Sequence, residues 1–277
     1  MSIKLGSADK SRNYYVGTGQ VQKIYLGESG IYEPLVTSGL AIHIDASYSD
    51  SYPGNGTAIT GLNTVGSRVD ATLDGDWSGD IFGGAWELNN PVNQNEEINF
   101  GDLSQFDLDD FTFSIWFKFL QLGTDSDIFT KGNHSTFRPI LCWYDVAVSA
   151  SLPEVGAGNS NAISFMVSDS TSNNDNQHWI ASPSNSMVTG RVYNLTVQHN
   201  TGGLSRMWID GSLVAEDTKS TVTGPYNNSN HLRIGDPDGG TQDSSMQVYA
   251  FHAYTGFLSS GQIVQNYNHL EGRFEDS

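Results

Sequence analysis

The chain has 277 residues, 37% of them hydrophobic, so it is long enough to bury a large core and is not an intrinsically disordered chain. Its 31 acidic residues against 13 basic ones give a formal net charge of −18. This balance excludes nucleic acid as an expected partner, because phosphates attract a basic surface. The single cysteine, Cys142, excludes an intramolecular disulfide and the zinc sites that need paired cysteines.

The chain start and the hydropathy of the sequence bear on where the protein is made. The first residues lack the apolar run of a signal peptide, and no apolar run approaches the roughly 20 residues of a membrane span. We therefore expect a protein that is made in a cytoplasm and does not insert into a membrane.

Residues 1–37 form a compositional unit of short apolar and aromatic runs, each ended by glycine or by a polar turn. The segment repeats at an offset of ten residues, which matches Tyr15 with Tyr25 and Val21 with Ile31. The pattern predicts a small β-meander. So short a sheet buries few residues and has exposed edges, so we expect it to pack on another surface.

The remainder of the chain has the pattern of a β-sandwich. Phe111–Phe119 alternates strictly, with five apolar residues on one face. Residues 192–199 and 246–254 alternate similarly. Asp210 and Gly211 form a pair typical of a tight hairpin turn. These signals predict antiparallel neighbours.

One helix is predicted, over Leu258–Leu270. Ser259 is placed to cap it and Gln262 stands three residues later, as in a capping box. Its apolar residues recur at helical spacing, which favours a short helix packed on the rim of the sandwich.

The order of these segments over roughly 235 residues resembles the concanavalin A-like, laminin G-type jelly-roll domain. The residues that carry the resemblance are Gly39–Ala46, Ser51–Thr57, Asp70–Leu73, Phe111–Phe119, Ile128–Gly132, Met207–Gly211, Leu232–Gly235 and Leu258–Phe274. The resemblance implies an all-β fold: a two-sheet antiparallel jelly-roll sandwich over residues 38–277, preceded by the small β-meander and closed by one short C-terminal helix.

The closing segment and the glycine-punctuated N-terminal repeats are most similar to virion proteins of tailed bacteriophages, especially marine, cyanophage-like ones. This resemblance implies a non-enzymatic structural protein on the particle exterior, as a capsid decoration or a tail or fibre component. Its partners are then other virion proteins, with the chain repeated as a homo-oligomer in a virion made in the bacterial host cytoplasm. Residues 1–37 dock to the particle, through Tyr15, Tyr25, Leu26 and Ile31.

Two alternatives to that role stay open. A dedicated receptor-binding tail protein would recognise host polysaccharide. A glycan-degrading enzyme would need two carboxylates at a cleft, because the same sandwich also occurs in glucanases. Glu96 and Glu97 are adjacent and so point to opposite faces of a strand, and Glu87 and Glu154 stand alone in the sequence. We therefore expect no catalytic residues, although carboxylates distant in sequence can converge.

No motif requires a cofactor, and calcium is the ion that the laminin G resemblance implies. The best acidic loop holds Asp236, Asp238 and Asp243, and the second holds Asp125 and Asp127. Carboxylate and carbonyl oxygens suit calcium. A solvated turn rich in Asp and Gly is the more frequent structure for such a loop.

Aromatic residues beside polar loops are the candidates for contact with a host-surface glycan, because the apolar face of a sugar packs on a ring. Trp179 follows a long polar run and is the first candidate, with Trp143 and Tyr144 beside another loop. Trp116 and Trp208 lie within predicted strands and are expected in the core.

Overall fold

The computed structural model describes residues 34–62, 67–89, 96–107, 109–133, 137–146, 160–169, 176–225, 229–235 and 245–274, together with the backbone of short strands within 15–32. In this part of the chain no helix is long and apolar enough to cross a membrane.

The first ten strands are β1 (Tyr15–Val16), β2 (Gly19–Gln20), β3 (Ile24–Leu26), β4 (Ser29–Tyr32), β5 (Leu40–Asp45), β6 (Ala58–Ile59), β7 (Ala71–Asp74), β8 (Asp76–Ser78), β9 (Ala85–Asn89) and β10 (Glu97–Asp102). A 3₁₀ turn over Ser104–Phe106 follows. The other ten are β11 (Phe111–Phe119), β12 (Ser126–Asn133), β13 (Phe137–Asp145), β14 (Ala162–Ser168), β15 (Gln177–Ala181), β16 (Val192–His199), β17 (Leu204–Ile209), β18 (Ser212–Thr218), β19 (His231–Gly235) and β20 (Ser245–Tyr254).

Two antiparallel sheets of eight strands form the sandwich, which confirms the predicted fold class. The first sheet runs in the order β18-β17-β16-β11-β20-β9-β8. Strand β20 is long enough to pair with β9 along its first half and with β5 along its second half. The second sheet runs in the order β15-β14-β13-β12-β19-β10-β7-β6. Outside the sandwich, β1 pairs with β2 and β3 pairs with β4, so the predicted meander is built as two separate hairpins.

The core lies between the two sheets and is centred on β11. As predicted, its five alternating apolar side chains point to one side, and all five are fully buried. They pack against rings of the second sheet and of β20; the ring of Phe113, for example, lies 5.7 Å from that of Phe129 and 5.8 Å from that of Phe251. Deletion of one such ring would cost about 3–5 kcal/mol.

Helix α1 (Ser260–Glu271) covers the other face of the first sheet. Ser259 and Gln262 form the predicted capping box. Trp116 of β11 stacks on Tyr267 at 5.6 Å between ring centroids and on Phe274 at 4.7 Å. Trp116 is therefore buried on the helix side of the sheet, and β11 is buried on both faces.

The polar residues beneath the helix satisfy one another. Gln198 donates to the hydroxyl of Thr112 at 3.1 Å and to the carbonyl of Leu258 at 2.9 Å. Trp208, which is buried as predicted, donates its indole N–H to Gln198 at 3.1 Å. A buried polar group without such a partner would cost about 1–3 kcal/mol, so this network is what allows a polar sheet face to lie under a helix.

The segment that enters the sandwich is fastened to the same helix. The N–H of Val36 donates to the side chain of Asn266 at 2.9 Å, and Gln265 donates to the carbonyl of Pro34 at 2.7 Å. Asn266 also donates to the hydroxyl of Tyr254 at 3.0 Å. Residues 34–36 thus pack with the sandwich, just before the predicted boundary at residue 38.

Two histidines lie side by side on the helix-covered face. The rings of His43 and His252 meet edge to face at 4.9 Å, on paired strands β5 and β20. Burial lowers the pKa of His43 from 6.5 to about 4; Asp45 opposes this shift and His269 of α1 adds to it. Burial also lowers the pKa of His252, with His43 and His269 adding to the effect.

Acid should therefore destabilise the fold. Between pH 6.5 and 4 the unfolded chain binds protons on these histidines that the folded chain does not bind, so stability is lost as the pH falls through this window. From pH 7 to pH 5 we expect His43 alone to account for about 2 kcal/mol of the loss, measured by urea unfolding.

The matched control is the exposed His231. His43→Gln should reduce the pH dependence of the unfolding free energy, whereas His231→Gln should leave it unchanged. The same pH dependence in the wild-type protein and both variants would contradict this explanation.

Candidate functional site

Trp77 is the most exposed of the six tryptophans, with 38% of its surface accessible. It lies on β8, the edge strand of the first sheet, directly opposite Trp86 of β9. Trp86 is fully buried in the core against Tyr52, at 6.1 Å between rings. Directly opposite residues of an antiparallel pair project from the same face. Because Trp86 fills the core at this position, Trp77 is left at the rim of the sandwich.

Glycine backbone supports the Trp77 ring. A Cβ atom placed on Gly84 would lie 2.8 Å from Cζ2 of Trp77, and one placed on Gly79 would lie 3.0 Å from Cη2. A Cβ atom on Gly54 would lie 3.9 Å from three atoms of the six-membered ring. Gly84 and Gly79 therefore let the backbone approach the indole more closely than a residue with a side chain would, and Gly54 is in ordinary contact range. We call Trp77 with Gly54, Gly79 and Gly84 the Trp77 shelf.

The hairpin that carries the shelf is held in place by Asp80. Its carboxylate accepts the N–H of Phe82 at 2.9 Å and the N–H of Gly84 at 3.2 Å, which closes the turn between β8 and β9. The other carboxylate oxygen accepts the hydroxyl of Tyr249 at 2.8 Å. Tyr249 is fully buried on the central strand β20. An exposed ring on an anchored turn is preorganised for contact with a ligand.

Two carboxylates lie next to the shelf, on the opposite face of β8 from Trp77. Asp76 lies directly opposite Glu87, so the fold brings together two carboxylates that are 11 residues apart in the sequence. Gln247 of β20 donates to Glu87 at 2.9 Å. Asp76 also raises the pKa of Tyr52, after the larger effect of burial, so its charge reaches the loop that carries Gly54.

The predicted glycan contacts Trp143 and Trp179 lie together on the outer face of the second sheet. Their ring centroids are 5.7 Å apart, across the middle strand β14. Trp179 is 7% exposed, because it packs with Leu141 and Met166 in a buried cluster. The structure thus places Trp179 in packing rather than at the surface, and Trp143 is half-buried beside it.

Tyr144, the third predicted contact, lies on the inner face of β13. It is 2% exposed within the main core, and its hydroxyl donates to the side chain of Asn161 at 3.0 Å. Alternation along the strand explains the difference, because consecutive residues project to opposite faces. Tyr144 therefore offers no ring surface to a glycan.

The structure describes only the second of the two predicted calcium loops. Asp236, Asp238 and Asp243 lie outside the described residues. Asp127 is fully buried on β12, and Asp125 accepts the N–H of Val146 at 3.0 Å. Across the described ranges, no group of three or more His, Cys, Asp and Glu side chains is arranged to hold a metal ion. The side chains of the predicted docking residues, Tyr15, Tyr25, Leu26 and Ile31, are likewise outside the described part of the chain.

A chain of hydrogen bonds joins the two sheets at the opposite edge. Asp217 and His178 are 3.2 Å apart, Ser205 lies 3.1 Å from His178, and His199 lies 2.9 Å from Ser205. The order resembles an acid, histidine and serine triad, but Ser205 and both histidines are fully buried. A substrate therefore has no access to the hydroxyl. These hydrogen bonds instead hold β15 to the β17-β18 hairpin.

A family model described as the concanavalin A-like lectin/glucanases superfamily matches residues 92–264, more than half of the chain. The chain belongs to this superfamily. The shelf lies before the matched segment: Trp77 is on β8 of the first sheet, Gly79 and Gly84 are in the turn that follows β8, and Gly54 is in the loop before β6. A comparison with curated protein sequences gave no match.

Solved structures share the fold at low identity. A botulinum neurotoxin type C structure, described by its dependence on two ganglioside molecules, aligns with a TM-score of 0.60 and 15% identity over 84% of this chain and 51% of its own. Trypanosoma rangeli sialidase aligns with a TM-score of 0.61 and 16% identity over 92% of this chain and 37% of its own. The binding domain of botulinum neurotoxin serotype D aligns with a TM-score of 0.59 and 13% identity over 84% of this chain and 52% of its own.

This chain therefore spans about half or less of the length of these proteins. They include both binding domains and an enzyme, so the fold alone is compatible with either activity.

Replacing Trp77 and Trp86 one at a time should distinguish the contribution of the exposed ring to stability from that of the core ring. Trp77→Ala should lower the free energy of unfolding by about 1–2 kcal/mol, because much of the ring is already in water. Trp86→Ala should cost about 3–5 kcal/mol, because it empties a core position. Chemical denaturation measures both losses, and equal losses would show that Trp77 is a packing residue.

Proposed function

We propose that this chain is a non-enzymatic carbohydrate-binding protein that uses the Trp77 shelf to stack on a sugar ring. The observation that supports this proposal is an exposed indole packed against glycine backbone at the rim of a lectin-like sandwich. The C–H face of a sugar packs on an indole, while its hydroxyls need polar neighbours. Asn55, in the loop that carries Gly54, is exposed and supplies such a group.

Packing against backbone distinguishes this tryptophan from an incidental surface residue. A ligand that meets a fixed ring does not have to restrict a mobile side chain, so less of the contact free energy is lost as entropy. Trp143 and Trp179, which already pack against each other and against aliphatic side chains, have less free ring surface to give.

Loss of the indole should remove binding. Wild-type protein on a glycan array and in calorimetry with the best array ligand should show saturable binding, and Trp77→Ala should weaken it at least about tenfold, as for a stacked aromatic contact. Trp143→Ala is the comparison, and we expect a change of less than about twofold. The shelf would be excluded as the site if the two variants had these effects in reverse.

A change that keeps the indole tests the shelf itself. Gly79→Ala places a methyl group 3.0 Å from Cη2 of Trp77 and should displace the ring, which weakens binding although the ring is still present. Gly261→Ala in α1 is the matched control, because a Cβ atom there meets open space. Indole N–H resonances in a ¹H–¹⁵N spectrum should move for Trp77 in the first variant only. An unmoved Trp77 resonance in Gly79→Ala would contradict the supporting role of the glycines.

An enzyme is the second candidate, and one observation favours it. Asp76 and Glu87 face each other across β8 and β9, and retaining glycosidases use two carboxyl groups about 5 Å apart. The similar structures include Trypanosoma rangeli sialidase, although sialidases use a tyrosine nucleophile in place of the second carboxylate. Shortening of a bound polysaccharide that stops in Glu87→Gln would establish it; our proposal expects the polymer to stay intact.

We also propose that the protein works on the exterior of a phage virion, where the sandwich faces outward and residues 1–33 join the particle. The two N-terminal hairpins support this idea, because short strands with open edges can pair with a partner by strand addition. Use of the shelf as the receptor-binding surface of a tail is the narrower form of this role.

Deletion of residues 1–33 should leave a folded sandwich that no longer joins particles. The deletion stops there because residues 34–36 are bonded to α1. Circular dichroism checks the fold, and sedimentation with purified particles checks incorporation. Normal incorporation of the truncated chain would exclude the docking role.

A further inference from the structure

The charges around the Trp77 shelf bear on which glycans it can accept, and this inference rests on the proposed binding function. Residues 40–89, which carry the shelf, contain seven acidic residues and a single basic one, Arg68. The acidic residues are Asp45, Asp50, Asp70, Asp74, Asp76, Asp80 and Glu87. The local imbalance has the same sign as the net charge of −18 of the whole chain.

The cations closest to this region are already engaged by carboxylates. Arg68 contacts Asp70 at 2.8 Å. Arg273 contacts Asp45 at 2.9 Å, and both side chains are at least nine-tenths buried. Arg273 also donates to the carbonyl of Gly84 in the shelf at 3.3 Å, so its largely buried guanidinium is committed to the protein itself, whereas Arg68 is exposed and forms a surface pair.

Among the described residues, Lys118 is the next cation of the first sheet. Lys118 of β11 is paired with Gln247 of β20, and Gln247 is paired with Glu87 of β9. Lys118 and Glu87 are therefore two strands apart. At about 4.8 Å per strand, this separation is about 10 Å. Its ammonium group lies 5.8 Å from the ring of Tyr249.

An acidic sugar on the shelf would meet two costs. Its carboxylate would give up hydration without gaining a cationic partner, and it would be repelled by Asp76 and the other nearby carboxylates. An uncharged sugar meets neither cost. The repulsive part depends on long-range charge and therefore weakens as salt is added.

We infer that the Trp77 shelf selects uncharged oligosaccharides and discriminates against sialylated or otherwise acidic glycans. This would set the chain apart from the similar structures whose descriptions mention gangliosides or a sialylated ligand, and from the sialidase. The fold is shared with those proteins, whereas the charge around the exposed ring belongs to this sequence.

The test uses pairs of oligosaccharides that differ only by a terminal sialic acid, first on an array and then by calorimetry at about 0.05 M and about 0.5 M salt. We expect the uncharged member of each pair that binds to bind about tenfold more tightly at the lower salt, with a smaller ratio at the higher salt. Equal or tighter binding of the sialylated member at low salt would overturn the inference.

Two charge variants separate selectivity from binding. Asp76→Asn should lower the ratio of the two affinities, that of the uncharged member to that of the sialylated member, about twofold at low salt. Asp109→Asn makes the same charge change on an exposed residue beside the far end of β11, about 25 Å away along the strands, and should leave the ratio unchanged. Equal narrowing in both variants would mean that net charge, and not the shelf, sets the preference, which also overturns the inference.

Trp77→Ala identifies which proposal has failed. If this variant loses binding of both members while the wild-type protein binds them equally, the shelf is the binding site but the selectivity is wrong. If no pair binds, or if Trp77→Ala binds like wild type, the proposed function of the shelf fails and the inference falls with it.

Discussion

The structure depends on one constraint: the central strand β11 is buried on both faces. Its inner face is a row of apolar side chains, and its outer face carries Trp116 between polar residues. A polar face can be buried only if its groups are hydrogen-bonded, and here they bond to side chains of the adjacent strand and to the segment before α1. The helix and the entering segment are therefore integral to the sandwich and do not merely decorate it.

The candidate site lies at the edge of the first sheet, where the strands are no longer buried on both faces. Strand β8 is the edge of the first sheet, and there Trp77 and Trp86 lie directly opposite each other, although only one of the two rings lies in the core. Trp86 takes the core, and Trp77 rests on glycine backbone at the rim. The same turn is bonded to buried Tyr249 on β20, so the exposed ring is connected to the best-packed part of the molecule.

Sequence reasoning was strongest for features with a clear period. The alternation of Phe111–Phe119, the capping box at Ser259 and the turn at Asp210 and Gly211 each depend on local residues, and the structure confirms them. The exposure of the Trp179 and Tyr144 side chains was harder to predict, because it depends on which residues from elsewhere in the chain pack over a strand. Trp77 was missed because it stands on a strand of three residues, and its supporting glycines come from three places in the sequence. The run of Gly75, Gly79, Gly83 and Gly84 around it was the available signal.

The glycine support has an evolutionary consequence. A ring that rests on side chains moves whenever those side chains are replaced, so its neighbours are constrained. A ring that rests on backbone leaves the exposed residues beside it, such as Asn55 and Asp76, free to change without altering its position. Such a surface can acquire a new ligand preference by single substitutions while the scaffold stays intact, which suits a protein whose targets vary faster than its fold.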